Sequence, residues 1–169
     1  MKAVRWVLLI VLYALFAGSL LYAAGALPQR VATHFGWHGE ADGWMSKEAD
    51  LLLMAAVGVG LPLFLIGICY ATRFFPARLV NLPNHDYWLA PERRKETAAR
   101  VASRAVWLAC MMLTFLTVLH LLVVFANQKP SPQLSTPLVL GLGACFIVGA
   151  AFWVRKLFQD FNRPLEGAQ

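Results

Sequence analysis

Four long apolar runs alternate with polar segments along the chain, and this alternation is its strongest pattern. Trp6 to Leu27, Leu51 to Thr72 and Ala105 to Ala126 carry no Asp, Glu, Lys or Arg, and His120 is the one interruption in the third. Pro137 to Val154 is the shortest run. About 20 apolar residues in helical form cross the hydrocarbon core of a bilayer, and a helix satisfies its own backbone groups there without water. The pattern predicts an all-α integral membrane protein, a four-transmembrane-helix bundle in one membrane domain, 1–169. Spans are expected at 6–27, 51–72, 105–126 and 137–154, with an outer loop over 28–50 and an inner loop over 73–104.

Charge adds the orientation. Only 14% of the 169 residues are charged, against about 25% in a soluble domain, so a water-facing coat is missing and lipid is the expected solvent. With the N-terminus inside, Lys2, Arg5, Arg73, Arg78, Arg93, Arg94, Lys95, Arg100, Arg104, Arg155, Lys156 and Arg163 fall on the cytoplasmic side. Arg30, Lys47 and Lys129 fall outside. Basic residues in short loops stay in the cytoplasm, so an N-in/C-in, multi-pass plasma-membrane topology is expected. The net charge of +6 is then a topology signal, and nucleic acid is not an expected partner. Lys2, Arg5 and Ala24-Gly25-Ala26 have the flavour of a signal peptide, but the apolar stretch exceeds an ordinary h-region and Pro28 follows at once, so retention is expected.

The spans carry packing marks. Gly141, Cys145 and Gly149 recur every four residues, and Ala14 with Gly18 and Ala56 with Gly60 repeat the spacing. Such small faces let a second backbone come close, here within a compact bundle. Pro62 interrupts the hydrogen bonding of the second span. Cys69, Cys110 and Cys145 lie in apolar runs and behave as small hydrophobes. On the third span Cys110, Thr114 and Thr117 share a stripe bordered by His120. The threonines are expected to bond their own preceding carbonyls, and His120 to bond Tyr22 or Ser19.

The outer loop concentrates the polar chemistry. Between Pro28 and Trp44 stand His34, His38, Glu40 and Asp42, with Gly36, Gly39 and Gly43 among them. Trp37 and Trp44 suit the headgroup region. Asp42-Gly43 reads as a turn, and Ser46 as the cap of the second helix, with Glu48 and Asp50 at its positive end. His34 and His38 with Glu40 or Asp42 are ligand types for zinc, and His120 lies toward the same side as a third candidate. The plainer expectation ties His34 to backbone and leaves His38 solvated.

The inner loop holds Pro76, Pro83 and Pro91 and cannot be one helix. Tyr87 and Trp88 are expected at the inner interface, and the third helix is expected to begin near Pro91, its first residue. Glu96 and Arg100 form a favourable pair four apart. Arg93, Arg94 and Lys95 are the expected contact for anionic lipid headgroups, or for an acidic cytoplasmic partner such as a membrane-tethered regulator.

Two stretches resemble a known family. Leu27-Pro28, Thr33-His34-Phe35, Gly39, Asp42-Gly43-Trp44 and Lys47 look like the signature of domain of unknown function 1648. Asn81 to Arg94 resembles the inner loop of its short members. The resemblance implies a bacterial inner-membrane protein, related to immunity and signalling proteins against sporulation-delaying toxins, and it implies no mechanism. Three functions are then open. One is a non-enzymatic sensor, immunity or accessory module using His34, Phe35, Gly39, Asp42, Gly43 and Trp44. Another is a membrane-embedded metal-dependent enzyme at the outer face, and the third is a small transporter subunit. No nucleophile–base pairing or HExxH-type motif supports the enzyme, and paired intramembrane charges and a clear inverted repeat are missing for transport. The module is the preferred reading. No catalytic residue and no cofactor is assigned, zinc on His34, His38 and His120 being the one metal site the ligand types admit.

Overall fold

The computed structural model describes residues 2–162. Arg163 and the side chain of Lys2, both counted in the charge balance, lie outside the described part. Among the described residues four helices are long and apolar enough to cross a membrane: α1 (Lys2–Ala26), α2 (Lys47–Ala71), α4 (Arg94–Asn127) and α5 (Thr136–Phe161). The short helix α3 (His85–Trp88) and two 3-10 turns, Thr72–Phe74 and Ala77–Leu79, lie in the connection from α2 to α4. Between α1 and α2 the chain forms an antiparallel hairpin of β1 (Arg30–Phe35) and β2 (Ala41–Ser46).

Side-chain contacts fix how the helices run. On α1 and α4, Arg5 meets Ser103, the Phe16 and His120 rings stand 6.5 Å apart, and Ala23 clusters with Val124. These two helices therefore point the same way. α2 returns alongside them: Lys47 Nζ donates to the Ala24 carbonyl at 3.2 Å, and Tyr13 donates to the Val59 carbonyl at 3.2 Å. α5 also runs against α4, with Phe115 and Phe146 rings 5.0 Å apart and Trp153 Nε1 donating to the Arg104 carbonyl at 2.8 Å. The core around Leu9, Phe16, Val106, Ala109, Cys110 and Leu113 belongs to α1 and α4. On α5 the one buried residue is Phe161.

The close approach of backbones falls elsewhere than the small-residue spacing predicts. A Cβ at Gly18, Gly60 or Gly141 would meet nothing within 4 Å, whereas at Gly58 it would strike the ring of Phe16. Asp50, Gly58 and Pro62 are the buried positions of α2 and lie on one face. That face turns inward, and Ala56 and Gly60 turn away from it. Of the α5 glycines, Gly149 serves a contact, since a Cβ there would come within 2.5 Å of the Met111 methyl. α2 continues unbroken through Pro62.

At the arginine-rich end the inner loop is part of the core. Trp88 is buried with Leu82, Leu89, Val101 and Phe161, and does not rest at an interface as expected. The last carbonyls of a helix lack an intrahelical donor. Here Trp88 Nε1 donates to the Phe161 carbonyl at 2.8 Å, and Asn84 Nδ2 donates to those of Phe161 at 3.3 Å and Asn162 at 2.8 Å. A distant loop thus caps α5. α4 is regular from Arg94, three residues past the expected start near Pro91, and a turn closed by the amides of Arg93 and Arg94 on the Ala90 carbonyl leads into it. Thr97 Oγ1 donates to the Trp88 carbonyl at 2.6 Å, locking loop to helix.

Candidate functional site

The outer polar segment folds as strand, turn and strand. Strand pairing joins Arg30 to Ser46, Val31 to Met45, Ala32 to Trp44, His34 to Gly43 and Phe35 to Ala41. Thr33 is thereby an extra residue on β1, and Asp42 an extra residue on β2. Bulges re-aim side chains, and these two bring the His34 Nδ1 atom onto the Asp42 carboxylate. Asp42-Gly43 is not a turn. The chain reverses over Gly36 to Glu40, where the Gly36 amide donates to the Glu40 carbonyl at 2.8 Å and the Gly39 amide to the Gly36 carbonyl at 2.9 Å. Gly39 has φ of +83°, and a Cβ there would collide with the Leu134 carbonyl. Gly43 serves differently, since a Cβ would come within 2.7 Å of that of His34.

The hairpin is tied to the helices on three sides. Ser46 caps α2 as expected, accepting from the Ala49 amide at 3.2 Å. The Lys47 amide donates to the Gln29 carbonyl at 3.0 Å, closing the hairpin's base. Asn127, buried in the last turn of α4, holds Ala32: its Oδ1 accepts from the Ala32 amide at 2.7 Å and its Nδ2 donates to the Ala32 carbonyl at 2.9 Å. Across from the tip, the Leu134 amide donates to the Gly39 carbonyl at 2.9 Å, and Thr136 Oγ1 donates to the Trp37 carbonyl at 3.1 Å.

This docking leaves a groove of about 460 Å³ between the hairpin and the start of α5. His34, Phe35, Gly39 and Asp42 line it from the hairpin, Val139 and Leu140 from α5. The His34–Asp42 pair is its polar group, and Phe35, Trp37, Val139 and Leu140 supply apolar wall. Trp37 is 86% exposed and leaves a large aromatic face at the rim. Of the expected residues, Gly43 supports His34 from behind. Trp44 is not in the groove; it lies under the Arg30 guanidinium, 5.5 Å from ring centroid to Cζ.

The candidate zinc ligands His34, His38 and His120 are not brought together. His34 is taken up by Asp42, whereas His38 is exposed and lines a separate depression with Lys129 and Gln133. His120 is 1% exposed inside the bundle, beside Phe16. Among the described residues no group of three or more His, Cys, Asp and Glu side chains is placed to share a metal ion. Helix rise sets the reason: His120 is seven residues, about 10 Å, below Asn127, where the hairpin is anchored.

Inside the bundle the threonine expectation holds. Thr114 Oγ1 donates to the Cys110 carbonyl at 2.9 Å and Thr117 Oγ1 to that of Leu113 at 2.7 Å. His120 lies against the Ser19 backbone, one of its expected partners, although neither ring nitrogen reaches a hydrogen bond of good geometry. Ser19 turns its hydroxyl to the Phe16 carbonyl at 2.7 Å, and Tyr22 accepts from Gln128 at 2.8 Å. Asp50 stands in the first turn of α2, at its positive end as expected. It is buried, with one carboxylate oxygen unpartnered. At the other end, Arg93 stacks on Tyr87 at 4.1 Å, Arg94 starts α4 with a buried unpartnered Nε, and Lys95 is exposed. The Glu96–Arg100 pair forms, with contacts of 3.1 and 2.7 Å.

A membrane protein with a small ligand-sized groove beneath a β-hairpin is the class these observations define. Residues 7–59 match the family described as Domain of unknown function (DUF1648). The chain therefore carries a DUF1648-like domain over α1, the hairpin and α2 as far as Val59. No curated protein and no solved structure matches it. Asn127, Leu134 and Thr136, which hold the hairpin in place, lie beyond the matched segment.

Proposed function

We propose that the chain is a non-enzymatic sensor, immunity or accessory module of the bacterial inner membrane. Its hairpin faces outward and its arginine-rich end faces the cytoplasm. The observation that carries this reading is the groove between hairpin and α5, with one charge-bearing pair, His34–Asp42, set among apolar walls. Pockets of that kind fix a ligand's orientation by a few polar groups while apolar surface supplies affinity. The ligand class is a small amphipathic molecule or peptide end, its donor group meeting Asp42 and its apolar part covering Phe35 and Leu140. The metal-dependent enzyme loses support because His34, His38 and His120 do not converge. A small transporter subunit gains none, since Asp50 and His120, both buried, do not form an ion pair with each other.

Two measurements test the reading. In intact cells a membrane-impermeant maleimide should label Trp37→Cys, and should reach Lys95→Cys only after permeabilisation; the reverse order refutes the orientation. For the groove, purified full-length protein is screened by thermal shift against short amphipathic peptides and apolar amines. Hits should vanish in Asp42→Asn. Shifts that persist there place binding elsewhere.

A further inference from the structure

A second cavity lies at the opposite end of the bundle. It has a volume of about 560 Å³ and opens between the first turn of α1, the arginine-bearing turns of α4 and the last turn of α5. Its polar lining is Arg5, Arg100, Ser103, Arg104 and Asp160, and its apolar wall includes Val4 and Trp107. The charges here are unevenly matched. Arg104 pairs with Asp160 across to α5, and Arg100 pairs with Glu96 one turn back. Among the described residues Arg5 pairs with no carboxylate: its terminal nitrogen donates to the Ser103 hydroxyl, and its Nε is buried without a partner. A guanidinium carries five donors in a fixed fork, suited to the oxygens of a phosphate. The Ser103 hydroxyl, which accepts from Arg5, keeps its own hydrogen free to donate.

We infer that this cleft is a binding site for the phosphate of an anionic membrane phospholipid, gripped by Arg5 and Ser103 with Arg100 and Arg104 beside it. Two observations favour a lipid over free phosphate. Arg5 immediately precedes the apolar run of α1, which begins at Trp6, so it stands where hydrocarbon gives way to headgroups. The rim is also apolar, with Val4 62% and Trp107 39% exposed, offering acyl chains a path along α1 and α4. Basic pockets between transmembrane helices recognise headgroups in this way. The site differs from the Arg93–Lys95 cluster of the sequence reading. It rests on the chain spanning a membrane, and on neither the orientation nor the groove proposed above.

The test is native mass spectrometry of the full-length protein, released from nanodiscs of phosphatidylcholine containing phosphatidylglycerol. The wild type should retain phosphatidylglycerol selectively. Arg5→Gln should lower that retention about fivefold, the effect of one basic residue at a membrane surface, and Arg5→Lys should restore part of it. Arg93→Gln with Lys95→Gln, removing more charge from the same end, should leave it within about twofold. Asp160→Asn releases Arg104 and should raise retention, a gain that damaged folding does not produce. Equal losses in Arg5→Gln and in the control overturn the site, as does unchanged retention in both Arg5→Gln and Asp160→Asn. Displacement of the lipid by millimolar inorganic phosphate overturns the lipid assignment.

Discussion

Asn127 treats Ala32 as a neighbouring strand would, meeting its amide and its carbonyl with one side chain. A third bond, from Nδ2 to the Val123 carbonyl at 2.9 Å, holds the amide in that orientation. Ala32 is fully buried, so both of its backbone groups depend on this residue in place of water.

Asn127→Leu should therefore destabilise the hairpin strongly. A buried polar group left unpaired costs about 1–3 kcal/mol, and two are exposed to that loss. Hydrogen exchange should quicken at Ala32 and its neighbours while the middle of α4 stays protected. Unchanged exchange at Ala32 would contradict the role.

Gly58→Ala and Gly60→Ala make a paired test of the α1–α2 contact. The first drives a methyl into the Phe16 ring, and overpacking a core costs about 1–3 kcal/mol. The second has open space around it and should unfold with the parent protein. Thermal unfolding in one detergent compares them directly. Equal behaviour of the two would mean that Phe16 moves aside freely.

The His34–Asp42 pair should matter for binding and little for folding. Both side chains are largely exposed, and exposed ion pairs contribute at most about 1 kcal/mol. His34→Ala and Asp42→Asn should keep the parent's unfolding temperature within a few degrees and lose response to groove ligands. A large fall in unfolding temperature would make the pair structural.

His120→Leu should stabilise the bundle or leave it unchanged. Its two ring nitrogens are buried and make no hydrogen bond of good geometry, and replacing a poorly satisfied polar group by an apolar one of similar size removes a desolvation cost of about 1–3 kcal/mol. A clear loss of stability would show that His120 holds a group that the helices alone do not supply.

The four helices were legible because each apolar run is long enough to declare itself, and Ser46 was legible because a cap needs only one side chain and the turn after it. The hairpin was not. Thr33 and Asp42 each insert one residue, so the two-residue period that marks a strand breaks in both partners. Gly39 carried a usable signal, as glycine at a chain reversal, but Asp42-Gly43 offered a stronger false one. Asn127 stood at the end of an apolar run, where nothing local distinguishes an anchoring amide from a solvated one. His34 was singled out for its chemistry, yet its partner depended on pairing that the broken alternation concealed. Trp88 looked interfacial because aromatic residues beside a span usually are; its burial depends on Phe161, 73 residues away.

α5 is fastened by polar contacts at its two tips and packs on α4 between them, through Phe146 against Phe115 and Trp153 against the Arg104 carbonyl. Thr136 and Leu134 join it to the hairpin, while Asp160 and the carbonyl of Phe161 join it to α4 and the inner loop. A 26-residue helix is about 39 Å long, enough to set those fastenings a bilayer's thickness apart. It is built like a connecting rod. A load applied at one bearing is carried along its axis to the other, with the Phe146–Phe115 and Trp153–Arg104 contacts guiding it in between.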